Sequence, residues 1–279
     1  MNMLISLIKH HALAIFCALA VALTFAATLL PLPGEAIPIV MVFIPALLAI
    51  SLTALSEGMA GVRSLLGKLA RWRIDPKWIA IAVALGLVAR LTMSLVALGL
   101  GMISTIQLRP GGPASFALLA VVFFVFAIPE ELGWRGYALP KLLERRSPLA
   151  AGLIVGVLWG SLHLALLLPG MINEGVPPLP TLLTLVGGSV LFTWLYVNSG
   201  GSIVVTTLFH AAQSFFVIVN HGISLEQQTW LMAGVYPVVA LIVVIIAGPS
   251  LTRKHVAAIP QVVEAARSGQ PLARKGTHQ

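Results

Sequence analysis

Long apolar stretches recur along this sequence, each close to the length of about 20 residues that a helix needs to cross a bilayer. Of the 279 residues, 58% are hydrophobic and only 9% are charged, whereas roughly a quarter of a soluble domain is charged. Backbone groups in lipid are satisfied only in helices or closed barrels, and stretches this uniformly apolar favour helices. We therefore predict an all-α, polytopic membrane bundle of about eight transmembrane helices. Their predicted positions are 12–30, 37–56, 78–103, 115–135, 150–168, 179–197, 202–220 and 229–248.

The basic residues lie in alternate loops of this predicted bundle. The net charge is +8, but the loops on the other side hold almost no basic residue apart from Arg109. This alternation follows the positive-inside rule and places both termini in the cytoplasm, as expected for a bacterial inner-membrane protein. It also argues for the bilayer, and against nucleic acid, as the partner of the positive charge. The clustered residues are Arg63, Lys68, Arg71, Arg73, Lys77, Arg135, Lys141, Arg145, Arg146, Arg253, Lys254, Arg267, Arg274 and Lys275.

We divide the chain into four parts. Residues 1–114 hold the first three helices and a basic cytoplasmic loop, and residues 115–225 form the core that carries the candidate site. Residues 226–250 form the last helix, and residues 251–279 are expected to be a basic, disordered cytoplasmic tail. We expect the first helix to be retained rather than cleaved as a signal peptide. Cys17 is the only cysteine, so no disulfide forms within the chain.

Ionisable side chains inside predicted spans are costly, and they are therefore candidates for function. Glu130 and Glu131 stand side by side at the inner end of the fourth span. Glu131 and Arg135 are four residues apart, so they can pair along one helix face, while Glu130 is turned away and free. Alternatively, these charges only mark the membrane boundary. Arg90, in the third span, is either a counter-ion for a buried carboxylate or a helix-packing group.

Two histidines lie in later spans. His163 follows Trp159 by one helical turn, and Ser214 follows His210 by one turn. Each histidine alone could be a hydrogen-bonding group between helices, Ser214 could bond to its own helix, and Trp159 could serve packing alone. From the predicted helix ends, at about 1.5 Å per residue, His163 lies about 20 Å from the inner face and Glu130 much nearer to it.

Together, Glu130, His163 and His210 offer a carboxylate and two imidazoles from three helices of one bundle. This is a familiar ligand set for a catalytic divalent metal such as zinc, with one position open for water. It is also sufficient without a metal, because the glutamate can take a proton from water while the histidines stabilise the oxyanion. Both versions predict hydrolysis of a carbonyl bond within the membrane.

Residue inventory removes several other mechanisms. The only aspartate is Asp75, which excludes an aspartyl dyad, and no H-E-x-x-H string is present. The chain also lacks a Walker-type phosphate loop, which disfavours ATP-driven transport. A pair of Ser189 or Ser202 with His210 stays open, although these serines and their neighbouring glycines fit helix packing or a turn better.

Three motifs resemble one known family when taken in order. The string "EELGWR" (130–135) is similar to E-E-x-x-x-R, "WGSLH" (159–163) to an aromatic followed four residues later by His, and "HAAQS" (210–214) to H-x-x-x-N or a small polar variant. This is the pattern of the CPBP family, which includes the type II CAAX prenyl endopeptidases and the bacteriocin-processing, or Abi, membrane proteins. The resemblance covers about residues 115–225.

The resemblance implies an eight-helix bundle with a conical cavity and an intramembrane endopeptidase activity. The substrate would be a membrane-associated protein or peptide, of which lipidated CAAX proteins are one type. Glu130 would be the base that activates water, supported by Glu131 and Arg135, and His163 and His210 would line the same cavity. A divalent metal on Glu130, His163 and His210 and a metal-free, glutamate-dependent mechanism both remain open.

Two positions depart from the family pattern. Ser214 stands where the best-studied branch has Asn, and a hydroxyl offers one hydrogen-bond donor where an amide offers two. Trp159 stands where the family usually has Phe, and its larger ring narrows the cavity. A non-catalytic transport, immunity or scaffold protein with a polar intramembrane site is the alternative function.

Overall fold

The computed structural model describes residues 2–219 and 222–252, with side chains from residue 10 onward. Within these ranges the chain is helical and contains no strand, only an isolated bridge between Leu108 and Val219. The all-α prediction is therefore confirmed. The α-helices are α1 Asn2–Ala27, α2 Ile37–Gly67, α3 Pro76–Gly99, α4 Pro113–Gly133, α5 Leu139–Leu143, α6 Pro148–His163, α7 Pro178–Asn198, α8 Ile203–Phe215 and α9 Leu225–Ala247.

Proline and short polar residues set most helix starts. A proline lies in the first turn of α3, α4, α6 and α7, where its missing N–H costs nothing because that group has no partner within the helix. Side-chain oxygens cap four helices by accepting from backbone N–H groups of the first turn. These capping residues are Asp75, Ser147, Ser202 and Ser224.

Seven helical segments of the described chain are long and apolar enough to cross a membrane, close to the predicted eight. The remaining predicted span, 202–220, is shorter: α8 and the 3₁₀ turn after it cover Ile203–Ile218. Large apolar side chains point outward from several spans, as a lipid-facing surface requires. Examples are Leu95, Val121, Leu241 and Ile245. The chain is an integral membrane protein.

The fourth span is longer than predicted. The sequence indicates an end near residue 135, but the helix continues through a π-helical turn, Trp134–Ala138, and then α5 to Leu143. Pro140 is tolerated because it lies in the first turn of α5, directly after the π-turn. At about 1.5 Å per residue, Glu130 then lies about 20 Å from Leu143, and His163 about 22 Å from Pro148 at the start of α6. The two side chains are therefore at matching depths.

Small residues bring the helices of the core close together. At Gly133, a Cβ atom would overlap Pro45 of α2. At Gly152 and Gly156, a Cβ would press on Thr193 and Val186 of α7, and the Ser189 hydroxyl donates to Gly152 O across the same contact, at 2.9 Å. Close approach at small residues is the usual packing of membrane helices. The predicted four-part boundaries stay predictions, and the tail from residue 253 lies outside the described residues.

Candidate active site

Glu130 of α4 and Trp159 of α6 are joined by a direct hydrogen bond. The indole Nε1–H of Trp159 donates to Glu130 Oε2 at 2.7 Å. Trp159 is buried, at 3% exposed, and Glu130 is half-buried. A hydrogen bond to a carboxylate is about twice as strong as one between neutral groups, so it fixes the orientation of the glutamate.

His163 lies one turn beyond Trp159, at the end of α6. Its Nδ1 donates to Trp159 O at 2.9 Å, and its ring meets the Trp159 ring edge-on at 5.2 Å between centroids. A carbonyl oxygen can only accept, so Nδ1 carries the proton. In the neutral form of the ring, Nε2 is then a hydrogen-bond acceptor.

Glu130, Trp159 and His163 line one cavity of about 120 Å³ between α4 and α6 on one side and α1 and α2 on the other. This volume holds several water molecules. The structure thus brings two of the three predicted central residues, and the aromatic between them, to one pocket with room for water. The rest of the wall is mainly apolar: Thr24, Pro38, Met41, Val42, Pro45, Leu162 and Leu166.

Glu131 faces the other way, into a buried ion cluster. Its Oε1 accepts from Arg135 Nη1 at 2.8 Å, as the four-residue spacing predicts, and from His210 Nδ1 at 3.0 Å. Both Glu131 and Arg135 are fully buried, and the His210 side chain is 16% exposed. The acidic doublet therefore divides into one residue that faces the cavity and one that is enclosed in the bundle.

Two aromatic rings pack against the ion cluster, and one of them, Trp159, also lines the cavity. The Arg135 guanidinium lies 5.0 Å from the centre of the Trp159 ring and 3.9 Å from that of Phe192. His210 meets both rings edge-on, at 5.6 and 5.8 Å. Phe192, on α7, is a site residue that the sequence did not reveal, because it is one more apolar residue in an apolar helix.

His210 and Ser214 are not on the cavity wall in this structure. His210 of α8 is hydrogen-bonded to Glu131 rather than Glu130, and reaches the cavity only through the Trp159 ring. The Ser214 side chain, half-buried one turn further along α8, makes no hydrogen bond to the described residues. The roles of both stay predictions.

Neither candidate serine forms a dyad with His210 within the described residues. Ser189 donates to Gly152 O, and the Ser202 side chain caps α8 by accepting from Val205 N. Ser189 therefore serves helix packing and Ser202 helix capping, as the sequence analysis predicts.

Arg90 is not a counter-ion of the buried ion cluster. Its Nε donates to Val219 O at 2.9 Å and its Nη2 to Val217 O at 3.2 Å. No carboxylate of the described residues forms an ion pair with it. Arg90 therefore ties α3 to the chain that follows α8, which decides between its two predicted roles in favour of packing.

The described side chains do not assemble a metal site. No group of three His, Cys, Asp or Glu residues from 10–219 and 222–252 converges in a way that could hold an ion. The predicted ligands are divided, because His210 is bonded to Glu131 while Glu130 and His163 face the cavity. The donor set does not fit a metal here, and we derive no chemical step through one.

Comparisons with known proteins agree with the motif pattern. Residues 112–216 match the family described as type II CAAX prenyl endopeptidase Rce1-like, and all three motifs lie within that range. Over 119 residues, or 39% of this chain, the sequence is 29% identical to the protein named CAAX prenyl protease 2 from Methanococcus maripaludis. The match spans 44% of that protein's length, less than half of it. The resemblance drawn from the motifs is confirmed: residues 112–216 are similar to the Rce1-like type II CAAX prenyl endopeptidase domain.

Proposed function

We propose that this protein is a membrane endopeptidase that hydrolyses a peptide bond of a membrane-associated, CAAX-like lipidated protein or peptide. The observation that carries the proposal is the position of Glu130, a carboxylate on a cavity wall with one oxygen held by Trp159. The domain match and the name of the relative support the same reaction class. We place the protein in a bacterial inner membrane with both termini in the cytoplasm.

Glu130 acts as the general base in the proposed reaction. Its Oε2 is held by the Trp159 N–H, so Oε1 is the oxygen that takes a proton from a water molecule in the cavity. The water oxygen forms a bond to the scissile carbonyl carbon. The proton then passes from Glu130 to the amide nitrogen as the C–N bond breaks, which regenerates the carboxylate.

His163 orients the attacking water in this scheme. Its Nδ1–H is engaged by Trp159 O, so Nε2 offers a second acceptor to the same water on the same cavity wall. Two acceptors fix both water hydrogens and direct an oxygen lone pair at the substrate. Trp159 is hydrogen-bonded to both residues: its indole N–H donates to Glu130, and its carbonyl oxygen accepts from His163. These two bonds set the distance between the two acceptors, Glu130 Oε1 and His163 Nε2.

The ion cluster supports the site from behind. Glu131 holds Arg135 and His210, and these two contact the face and edge of the Trp159 ring. We propose that His210, Glu131 and Arg135 act through Trp159, while Glu130 and His163 meet the substrate. Ser214 lies on the same helix as His210, and its contribution is expected to be smaller than that of either histidine.

Cleavage of a membrane-anchored peptide by the purified protein in nanodiscs tests the proposal, with products identified by mass spectrometry. Glu130→Gln is expected to slow cleavage by about a hundredfold or more, the usual contribution of a general base. Glu226→Gln is the matched control, because Glu226 is exposed in the first turn of α9. If E130Q cleaves the peptide as fast as E226Q, Glu130 is not the general base and the proposed mechanism is wrong.

Two further experiments distinguish the glutamate-only mechanism from a metal-dependent one and from a transport function. A glutamate-only mechanism is expected to survive metal chelation, whereas a loss of cleavage that zinc restores would favour the metal version. In proteoliposomes, solute or proton flux that depends on Glu130 while no peptide is cut would favour transport. If neither activity depends on Glu130, a scaffold or immunity protein is the better assignment.

A further inference from the structure

A second cavity, separate from the candidate active site, lies at the end of the bundle that carries most of the basic residues. Its volume is about 400 Å³, more than three times that of the active-site cavity. The end of α2 forms one wall, and the π-turn with α5 forms the other. The close contact between Gly133 and Pro45 lies between the two cavities along α2 and α4.

Two lysines line this second cavity from opposite walls. Lys68 is 8% exposed, and its ammonium group donates to Gly136 O at 2.7 Å. That bond uses one of three N–H donors, and no carboxylate of the described residues lies within ion-pair distance of Lys68. A buried ammonium without a counter-ion in direct contact is expensive, so the cavity favours an added negative group.

Lys141 supplies the second ammonium group, and it is only loosely engaged. Its Nζ lies 3.8 Å from Glu57 Oε1, beyond hydrogen-bond distance, and 4.8 Å from the centre of the Tyr137 ring. Arg71 and Lys141 are near enough to repel the Lys68 charge, and Glu57 is near enough to offset part of that repulsion. An anion between the two lysines would relieve the remaining repulsion.

The carboxylates of this cavity are at its rim. The Glu57 side chain is 53% exposed, against 31% for Lys141, and Glu144 is exposed. Exposed charges are screened by water and salt far more than buried ones. The interior is therefore more positive than the rim, although the wall as a whole carries two lysines and two glutamates.

We propose that this cavity binds a phosphate group, with Lys68 and Lys141 as the two cationic contacts. The phosphate belongs either to the headgroup of an anionic phospholipid or to a free phosphate. The location favours a lipid, because the positive-inside rule assigns this end to the cytoplasmic leaflet, where anionic headgroups meet basic pockets between helices. Gly136, which accepts from Lys68, directly follows Arg135, so the phosphate site and the ion cluster share the π-turn.

Native mass spectrometry of the detergent-solubilised full chain tests this proposal. Phosphatidylglycerol is titrated against diacylglycerol, which lacks the phosphate, and inorganic phosphate is titrated separately in a thermal-shift assay at constant ionic strength. Lys141→Met is expected to weaken phosphatidylglycerol binding about fivefold, the equivalent of about 1 kcal/mol per basic residue. Lys68→Met is expected to weaken it at least as much.

Arg146→Met is the matched control, because Arg146 is an exposed basic residue at the same end and does not line the cavity. It is expected to leave the affinity within about twofold of the parent. Lys141 makes no buried hydrogen bond in the described structure, so K141M tests the site even where K68M fails to fold. Binding of phosphatidylglycerol alone identifies a lipid site, and stabilisation by inorganic phosphate identifies a free-phosphate site. An equal loss in R146M and K141M, or parental affinity in K141M, would overturn the proposal.

Discussion

Glu130 and Glu131 are neighbours in the sequence, but their carboxylates lie in different surroundings. Glu130 is half-buried on a cavity wall, and its one side-chain hydrogen bond to the described part of the chain comes from the Trp159 indole. Glu131 is fully buried, and its one bonded oxygen is shared by Arg135 and His210. The first arrangement leaves an oxygen for chemistry, and the second uses the charge to neutralise a buried guanidinium.

This difference predicts effects of very different size on stability for the same Glu→Gln substitution at the two positions. Glu131→Gln removes the counter-charge of buried Arg135 and is expected to cost about 3–5 kcal/mol of stability, as for other broken buried pairs. Glu130→Gln is expected to change stability by less than about 1 kcal/mol. Thermal unfolding in detergent measures both. Equal losses of stability in E130Q and E131Q would contradict the assignment of the two carboxylates.

The Trp159 N–H gives a second residue-scale prediction. Trp159→Phe keeps an aromatic ring beside His163 but removes the donor to Glu130 Oε2. A hydrogen bond to a charged group contributes about 1.5–3 kcal/mol, and we expect kcat to fall about tenfold. Leu162→Ala on the same cavity wall is the comparison, because it changes wall shape without removing a donor. Unchanged kcat in W159F would show that the bond does not orient the base.

Spacing along one helix predicts contacts within that helix, and it predicted the pair of Glu131 and Arg135. It does not predict which residues meet across helices. The bonds from Trp159 to Glu130 and from His210 to Glu131 depend on helix rotation and depth, which tertiary packing sets. Apolar Phe192 carries no local signal for its contact with Arg135.

At the scale of elements, the fourth span shows where sequence reasoning is least accurate. Charges such as Arg135 indicate a membrane boundary, but Trp134–Ala138 is a fully buried π-turn inside a longer helix. The length of the apolar stretches predicted nearly every span. The end of the fourth span was predicted too early, because Arg135 is a buried, paired charge and does not mark the membrane boundary. π-helical turns occur often at functional sites, and this one places Arg135 beneath Trp159 and Gly136 opposite Lys68.

Gly133 connects this element to α2. Because a Cβ there would overlap the Pro45 backbone and ring, Gly133→Ala is expected to push α2 away from α4 and to cost about 1–3 kcal/mol, as for other overpacked cores. Pro45 also lines the active-site cavity, so cleavage should fall as well. Gly234→Ala in α9 is the control, since no side chain or neighbouring helix of the described chain lies within 4 Å of its added Cβ. Thermal unfolding and peptide cleavage of both variants check this, and a G133A protein as stable and active as G234A would refute it.

At the scale of the molecule, the bundle separates its charges by depth. One ion cluster and one carboxylate lie deep within the spans, while the lysine-lined cavity lies toward the basic end. Charged groups in lipid persist only where they are paired or face water. Both solutions occur here: Glu131 is paired with Arg135, and Glu130 faces a cavity with room for water.

The central claim is that Glu130 and His163 act on one water in one cavity, and a double-mutant cycle tests it most directly. Cleavage rates are measured for the parent, E130Q, H163A and the double variant, with E226Q as control. Residues that act as a unit lose little more together than alone. We predict that E130Q/H163A cleaves within about threefold of E130Q. A double variant slowed by the product of the two single losses would show that the two residues act separately and would contradict the account.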